Sequence, residues 1–189
     1  TFMGIVWLFM PNMDIDMFEN YDWGQRLDWG TFKHPPLFAW ITRAWFALFP
    51  TTHWAYFALS YSNLAMALMG ICALTSLLLR QSGVVYEEEQ RQRLLFLVIG
   101  YSILGLPFNV YAAIFNADSV LLSLWPWTAF VFLKALEPRA SLGWSGLLGA
   151  LAGACVLGKY FSLVFLAGLA GITLTESAYR LWYKTAAPY

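Results

Sequence analysis

Apolar runs of bilayer-crossing length, separated by short polar breaks, fill most of this chain. A helix spanning about 30 Å of hydrocarbon needs about 20 mostly apolar residues. Windows of that kind between the charges predict five or six membrane segments. Thr1 to Pro11 reads as the end of one span, Trp54 to Leu79 as a complete one, Leu94 to Phe115 as another, and Ser119 to Leu136 as the next. Trp144 to Tyr179 has the length of two short spans, with a single charge, Lys159, near its middle.

Met13 to Pro50 breaks the pattern. It carries Asp14, Asp16, Glu19, Asp22 and Asp28, and reads as a polar loop with helical pieces. Pro35 and Pro36 force the residue before them out of the helical region and open a new helix, so Leu37 to Phe49 reads as an aromatic interfacial helix ended by Pro50.

Composition supports a membrane solvent. Of 189 residues 60% are hydrophobic and 12% charged, with a mean hydropathy of +0.58, against roughly 25% charged in ordinary soluble domains. Eleven basic and eleven acidic residues cancel, which leaves neither a basic footprint for nucleic acid nor an acidic tail. Cys72 and Cys155 sit inside apolar runs without metal-ligand spacing, so the chain shows no disulfide framework or zinc motif. It opens with no basic n-region and closes with no polar tail, and reads as residues 1–189 of a longer multi-pass membrane protein with further segments beyond it.

Lys and Arg collect in cytoplasmic loops. Arg80, Arg91 and Arg93, then Lys134 and Arg139, then Arg180 and Lys184 all fall on one side of the alternating spans. The 13–50 loop, the turn from Phe108 to Asp118 and the Lys159 region then share the opposite, external face.

Ionisable groups beside a span are costly and mark function. Asp16 and Asp14 are candidates for a general base, or for holding a divalent cation against phosphate; the alternative is a solvated loop acid. Lys33 and His34 stand before the rigid Pro-Pro turn, where they either grip a phosphate or anchor lipid headgroups. His53, beside Trp54, reads as an interfacial anchor. Asp118 precedes a span, as a helix-capping acid or a site acid. Lys159 either snorkels, meets the same phosphate, or is neutralised by Asp118. Gly146, Gly149, Gly153 and Gly158 form a small-residue stripe that reads as helix packing, and Trp40, Trp45, Trp54, Trp125 and Trp127 read as belt or core.

The stretch Leu27-Asp28-Trp29-Gly30-Thr31-Phe32-Lys33-His34-Pro35-Pro36-Leu37 resembles the first external loop of family 39 glycosyltransferases, the protein O-mannosyltransferase-like enzymes related to lipid A aminoarabinose transferases. Eighteen places before His34 lies Asp16, matching the family's loop aspartate; the Glu that usually comes after it is Met17 here. Ala117-Asp118-Ser119 and Gly158-Lys159-Tyr160 resemble the later motifs.

The resemblance implies an all-α, polytopic, C-type glycosyltransferase fold with short interfacial helices in a periplasmic first loop, in a bacterial inner membrane. It implies transfer, with inversion, from a polyprenyl-phosphate sugar donor to a lipid, glycan or protein acceptor. Asp16 and Asp118 become the catalytic acids, Lys33, His34 and Lys159 the donor-phosphate contacts, and Asp14 and Tyr160 possible additions, with metal dependence open. The competing class is a non-catalytic lipid-binding or transport module whose charges line a pathway.

Overall fold

The computed structural model describes residues 13–105, 108, 109, 111, 113–138 and 140–175. Within them the regular structure is helical throughout: α1 (Ile15–Arg26), α2 (Leu37–Leu48), α3 (His53–Gln81), α4 (Glu88–Leu104), α5 (Ser119–Ala135), α6 (Leu142–Gly158) and α7 (Ser162–Thr175). The expected span from Thr1 to Pro11, the cations Arg139, Arg180 and Lys184, and the end of the stretch reaching Tyr179 lie outside the described residues.

At 29 residues, α3 is the one helix among those described that is long and apolar enough to cross a membrane, and only 17% of its most apolar 18-residue window is buried. Its apolar surface therefore faces outward, the reverse of a core helix in a soluble globule. α2, α5, α6 and α7 are apolar but shorter.

The expected boundaries for α3 and α5 agree with the structure to within a residue or two, and the Pro-Pro turn opens α2 as expected. The polar 13–50 segment is a helical hairpin of α1 and α2 rather than mainly loop. Asp14 starts α1 by accepting the Asp16 N–H at 2.9 Å.

Two expectations are corrected. The helix placed at Leu94 to Phe115 runs instead from Glu88 to Leu104. It begins early because a capping box forms, in which Gln90 Oε1 accepts the Glu87 N–H at 3.0 Å. It ends at Gly105, two residues before Pro107, which has no N–H to continue a helix. The second correction concerns the glycine stripe. Among the described residues, a Cβ added at Gly146, Gly149 or Gly153 would meet nothing within 4 Å, whereas one at Gly158 would lie 3.2 Å from Leu121 and 3.3 Å from Val120. Only the last turn of α6 approaches a neighbour closely enough to need glycine.

The tightest core sits at one end of the bundle, where Met17 of α1, Phe38 and Ala39 of α2, Tyr56 and Leu59 of α3, Phe115 and Ala117 of the connecting segment, and Val120 and Leu121 of α5 form one buried cluster. Arg80 lies at the far end of α3, roughly 40 Å from His53 at 1.5 Å per residue. Indole N–H groups tie the layers together: Trp45 donates to the Ala55 carbonyl at 2.8 Å, Trp127 to that of Met66 at 2.9 Å, and Trp125 to Ser162 Oγ at 3.1 Å. These tryptophans hold the fold, as expected of belt or core residues.

Gly24 is where α1 meets α2, since a Cβ there would stand 2.8 Å from the backbone oxygen of Ala39. Gly24→Ala is therefore expected to destabilise by about 1–3 kcal/mol despite alanine's better helix propensity. Gly153→Ala, with open space around it, is expected to be neutral or stabilising. Thermal unfolding of the two variants in detergent checks this, and the reverse order would refute the α1–α2 contact.

Candidate functional site

The site grows from four pieces of chain brought to the end of the bundle that holds the core. α1 presents Asp16, Glu19, Asn20 and Trp23 on one face, at helical spacing. Of these Asn20 is 2% exposed, and Met17 beside it is 1% exposed, so the acids ride on a buried anchor. Asn20 fixes the register of that anchor by donating through Nδ2 to the Phe115 carbonyl.

The second piece is the turn from Leu27 to Pro36. Leu27 closes α1 in the left-handed region with φ 53°, and Gly30 takes φ 144°, a conformation that favours glycine. Thr31 organises the rest of the turn: its N–H donates to the His34 carbonyl at 2.9 Å, and its Oγ1 accepts from the backbone N–H groups of Lys33 at 3.2 Å and His34 at 3.0 Å. Pro35 is fully buried and pins the end of the turn. Lys33 Nζ lies 2.9 Å from Glu19 and 3.4 Å from Asp16, and His34 sits edge-on to Phe38 with ring centroids 5.8 Å apart.

The third piece is the segment entering α5. Asn116 Oδ1 accepts from the N–H groups of Asp118 at 3.0 Å and Ser119 at 2.9 Å, so Asn116 rather than Asp118 caps this helix. The Asp118 carboxylate is left free of that task and pairs with Lys159, the fourth piece, which stands at the break between α6 and α7. Asn116 Nδ2 also donates to Asp16 Oδ2 at 3.0 Å, joining pieces one and three across 100 residues of sequence.

Asp16, Glu19, Asn20, Trp23, His34, Asn116, Ala117 and Asp118 line one cleft with space of about 10 Å³, which is room for roughly one water. Asp118 also lines a second space, an open apolar groove of about 460 Å³ bounded by Leu121, Trp125 and Pro126 of α5, Ile71 of α3, and Phe161 and Phe165 beside and within α7.

Of the residues singled out from the sequence, Asp16, Lys33, His34, Asp118 and Lys159 come together here. Asp14 is occupied as the α1 cap, and Tyr160 points outward at 64% exposure. His53 lies at the start of α3, beside a separate pocket. Sequence reasoning missed Glu19, Asn20, Thr31 and Asn116. Glu19 carried a usable signal, because i and i+3 share a helix face; the others act through contacts distant in the chain or through backbone bonds.

This pairing sets the electrostatics. Hydrogen bonding to Glu19 is the main cause raising the Lys33 ammonium above its usual range, with Asp16 adding to it. His34 is lowered, first by burial and then by the positive charges of Lys159 and Lys33, against an opposing pull from Asp118 and Asp16. It is therefore a neutral imidazole at pH 7. Among the described residues no group of three His, Cys, Asp or Glu side chains is arranged to hold a metal ion. The Asp16 and Glu19 carboxylates are engaged by Lys33, and that of Asp118 by Lys159.

The helical chain has one described helix long and apolar enough to cross a membrane, and gathers carboxylates, an imidazole and ammonium groups at one end beside an apolar groove. The profile of the dolichyl-phosphate-mannose-protein mannosyltransferase family matches residues 33–189, and the chain belongs to that family. No curated protein and no solved structure gives a significant match.

A lowered histidine has a definite linkage sign. Below pH 6.5 the unfolded chain takes up the His34 proton before the folded one does, so the stability His34 contributes is present above pH 6.5 and lost as the pH falls through its folded value. NMR titration of the imidazole is expected to give a midpoint below 6.5 that rises in Lys159→Met, where a repelling charge is removed and Asp118 is left unpaired. A midpoint that stays or falls in that variant would show that Lys159 does not act on His34.

Proposed function

We propose that the chain is the amino-terminal catalytic part of a multi-pass enzyme that moves a sugar from a polyprenyl-phosphate donor to an acceptor at the external face of a bacterial inner membrane. The observation that carries this reading is the position of Asp118, on the wall between an apolar groove and a polar cleft, with Lys159 paired to it. A polyprenyl chain has the chemistry of the groove, and its phosphate would then arrive at Lys159.

In this reading Lys159 takes the donor phosphate in exchange for Asp118, and His34 and Lys33 face it from the turn, stabilising the charge that grows as the phosphate leaves. Asp16 accepts the proton of the acceptor hydroxyl or amine. The acceptor atom bonds to the anomeric carbon as the bond from that carbon to the phosphate oxygen breaks, with its electron pair leaving on the phosphate. In-line attack inverts the anomeric centre. A conducting pathway would spread its charges through the spans, whereas these gather at one end.

One set of purified full-length variants separates the roles. Asp16→Asn is expected to lower turnover at least about 10²-fold, the low end of what a general base supplies, with donor binding kept. Lys159→Ala is expected to weaken donor binding about tenfold or more. Asp22→Asn, at an exposed acid paired with Arg26, serves as the control and is expected to cost less than twofold. Equal losses at Asp16 and Asp22 would remove Asp16 from the mechanism.

The proposed topology places α1, α2, Asp118 and Lys159 outside and Arg80 to Arg93 in the cytoplasm. Single cysteines at Asp28 and Gln90 are expected to react with an impermeant maleimide from opposite sides of sealed vesicles; labelling from the same side would overturn the span assignment.

A further inference from the structure

Asn116 is 7% exposed and its amide is fixed from both ends. A primary amide has an acceptor on one side and donors on the other. Here the oxygen is committed to α5, receiving the N–H groups of Asp118 and Ser119, while the backbone N–H of Asn116 donates to Ser119 Oγ at 2.8 Å. The NH2 group is thereby forced to face α1, where it reaches Asp16 Oδ2 at 3.0 Å. The other oxygen, Oδ1, lies 3.4 Å from Lys33 Nζ. Asp16 is held by a neutral donor of fixed direction on one side and by a flexible ammonium, shared with Glu19, on the other.

We infer that Asn116 is the positioning residue for the Asp16 carboxylate: it transmits the rigid first turn of α5 to the acid and sets the plane in which that acid meets the acceptor. This rests on the proposed role of Asp16 as the proton-accepting group. The rigidity argument is directional. Lys33 has a flexible four-carbon stem and three rotatable donors, and tracks the carboxylate wherever it turns. The Asn116 amide has its acceptor side bound and only one way to point. A carboxylate released from it keeps its charge partner but loses its alignment, and alignment at the reacting atoms is worth more than an order of magnitude in rate.

Two substitutions separate this role from helix capping. Asn116→Ser keeps a capping oxygen but is too short to reach Asp16. Asn116→Asp keeps the cap and replaces the donor by a like charge. Both are made in the full-length enzyme and assayed with dolichyl-phosphate mannose, measuring sugar released from the lipid. The expected result is kcat lowered about 10- to 100-fold in each folded variant, with donor KM within twofold of wild type, and a lower thermal midpoint in Asn116→Asp than in Asn116→Ser because a second carboxylate is buried beside Asp16. A second readout needs no turnover: carbodiimide capture of Asp16, quantified by peptide mass spectrometry, is expected to speed up severalfold in Asn116→Ser. Wild-type kcat and wild-type labelling in either folded variant would overturn the inference, as would loss of fold in both, which would make Asn116 a residue of the fold and not of the acid's alignment. Asp16→Asn in the same assay distinguishes the two failures. Full activity there removes the proposed base and this inference together, whereas an inactive Asp16→Asn beside active Asn116 variants removes only the inference.

Discussion

The site depends on how the segment before α5 is clamped. Phe115 is 1% exposed and its carbonyl accepts from Asn20; the Ala113 carbonyl accepts from Ser60 at 3.3 Å, and the Ser119 carbonyl from Asn63 at 2.7 Å. The irregular stretch is thus tied to α1 through Asn20 and to α3 through Ser60, and the first residue of α5 is tied to α3 through Asn63. In a low-dielectric setting such bonds are costly to leave unmade, so this segment cannot drift without exposing several polar groups at once. Asp118 and Asn116 take their directions from it, and through Asn116 so does Asp16.

The charges at this end are arranged in pairs. Lys33 answers Asp16 and Glu19, and Lys159 answers Asp118. A carboxylate or an ammonium at the edge of an apolar bundle loses much of its hydration and needs a partner. The pairing meets that need. His34, neutral between two cations and two anions, adds a donor or acceptor without adding a charge.

Much of this was legible in the sequence because apolar length and proline are local signals. Pro35 and Pro36 gave the start of α2, and the long apolar run gave α3. The resemblance of the 27–37 stretch marked the turn that carries Lys33 and His34, and grouping by membrane side put Asp118 and Lys159 near them. The start of α4 was misplaced because its first turn is polar, Glu88 to Arg93, and hydropathy alone passes over a helix end that sits in water. Asn116 was passed over because its meaning lies in one bond to Asp16, between positions 100 residues apart. The glycine stripe on α6 misled because spacing reports which residues share a face and carries no information on whether a neighbour lies opposite.

The turn between α1 and α2 is bracketed by two residues in unusual backbone regions, Leu27 at φ 53° and Gly30 at φ 144°, and closed by Thr31 on the backbone of Lys33 and His34. Trp29 and Phe32, on its outer side, are 85% and 97% exposed. In evolutionary terms such a turn acts as a ruler. Its outer rings pack edge-on in pairs, Trp29 on Trp40 and Phe32 on Trp23, and an insertion or deletion of one residue would carry Lys33 out of reach of Glu19 and rotate His34 away from the cleft. A chain that keeps this site should therefore keep the length of this stretch as well as its letters.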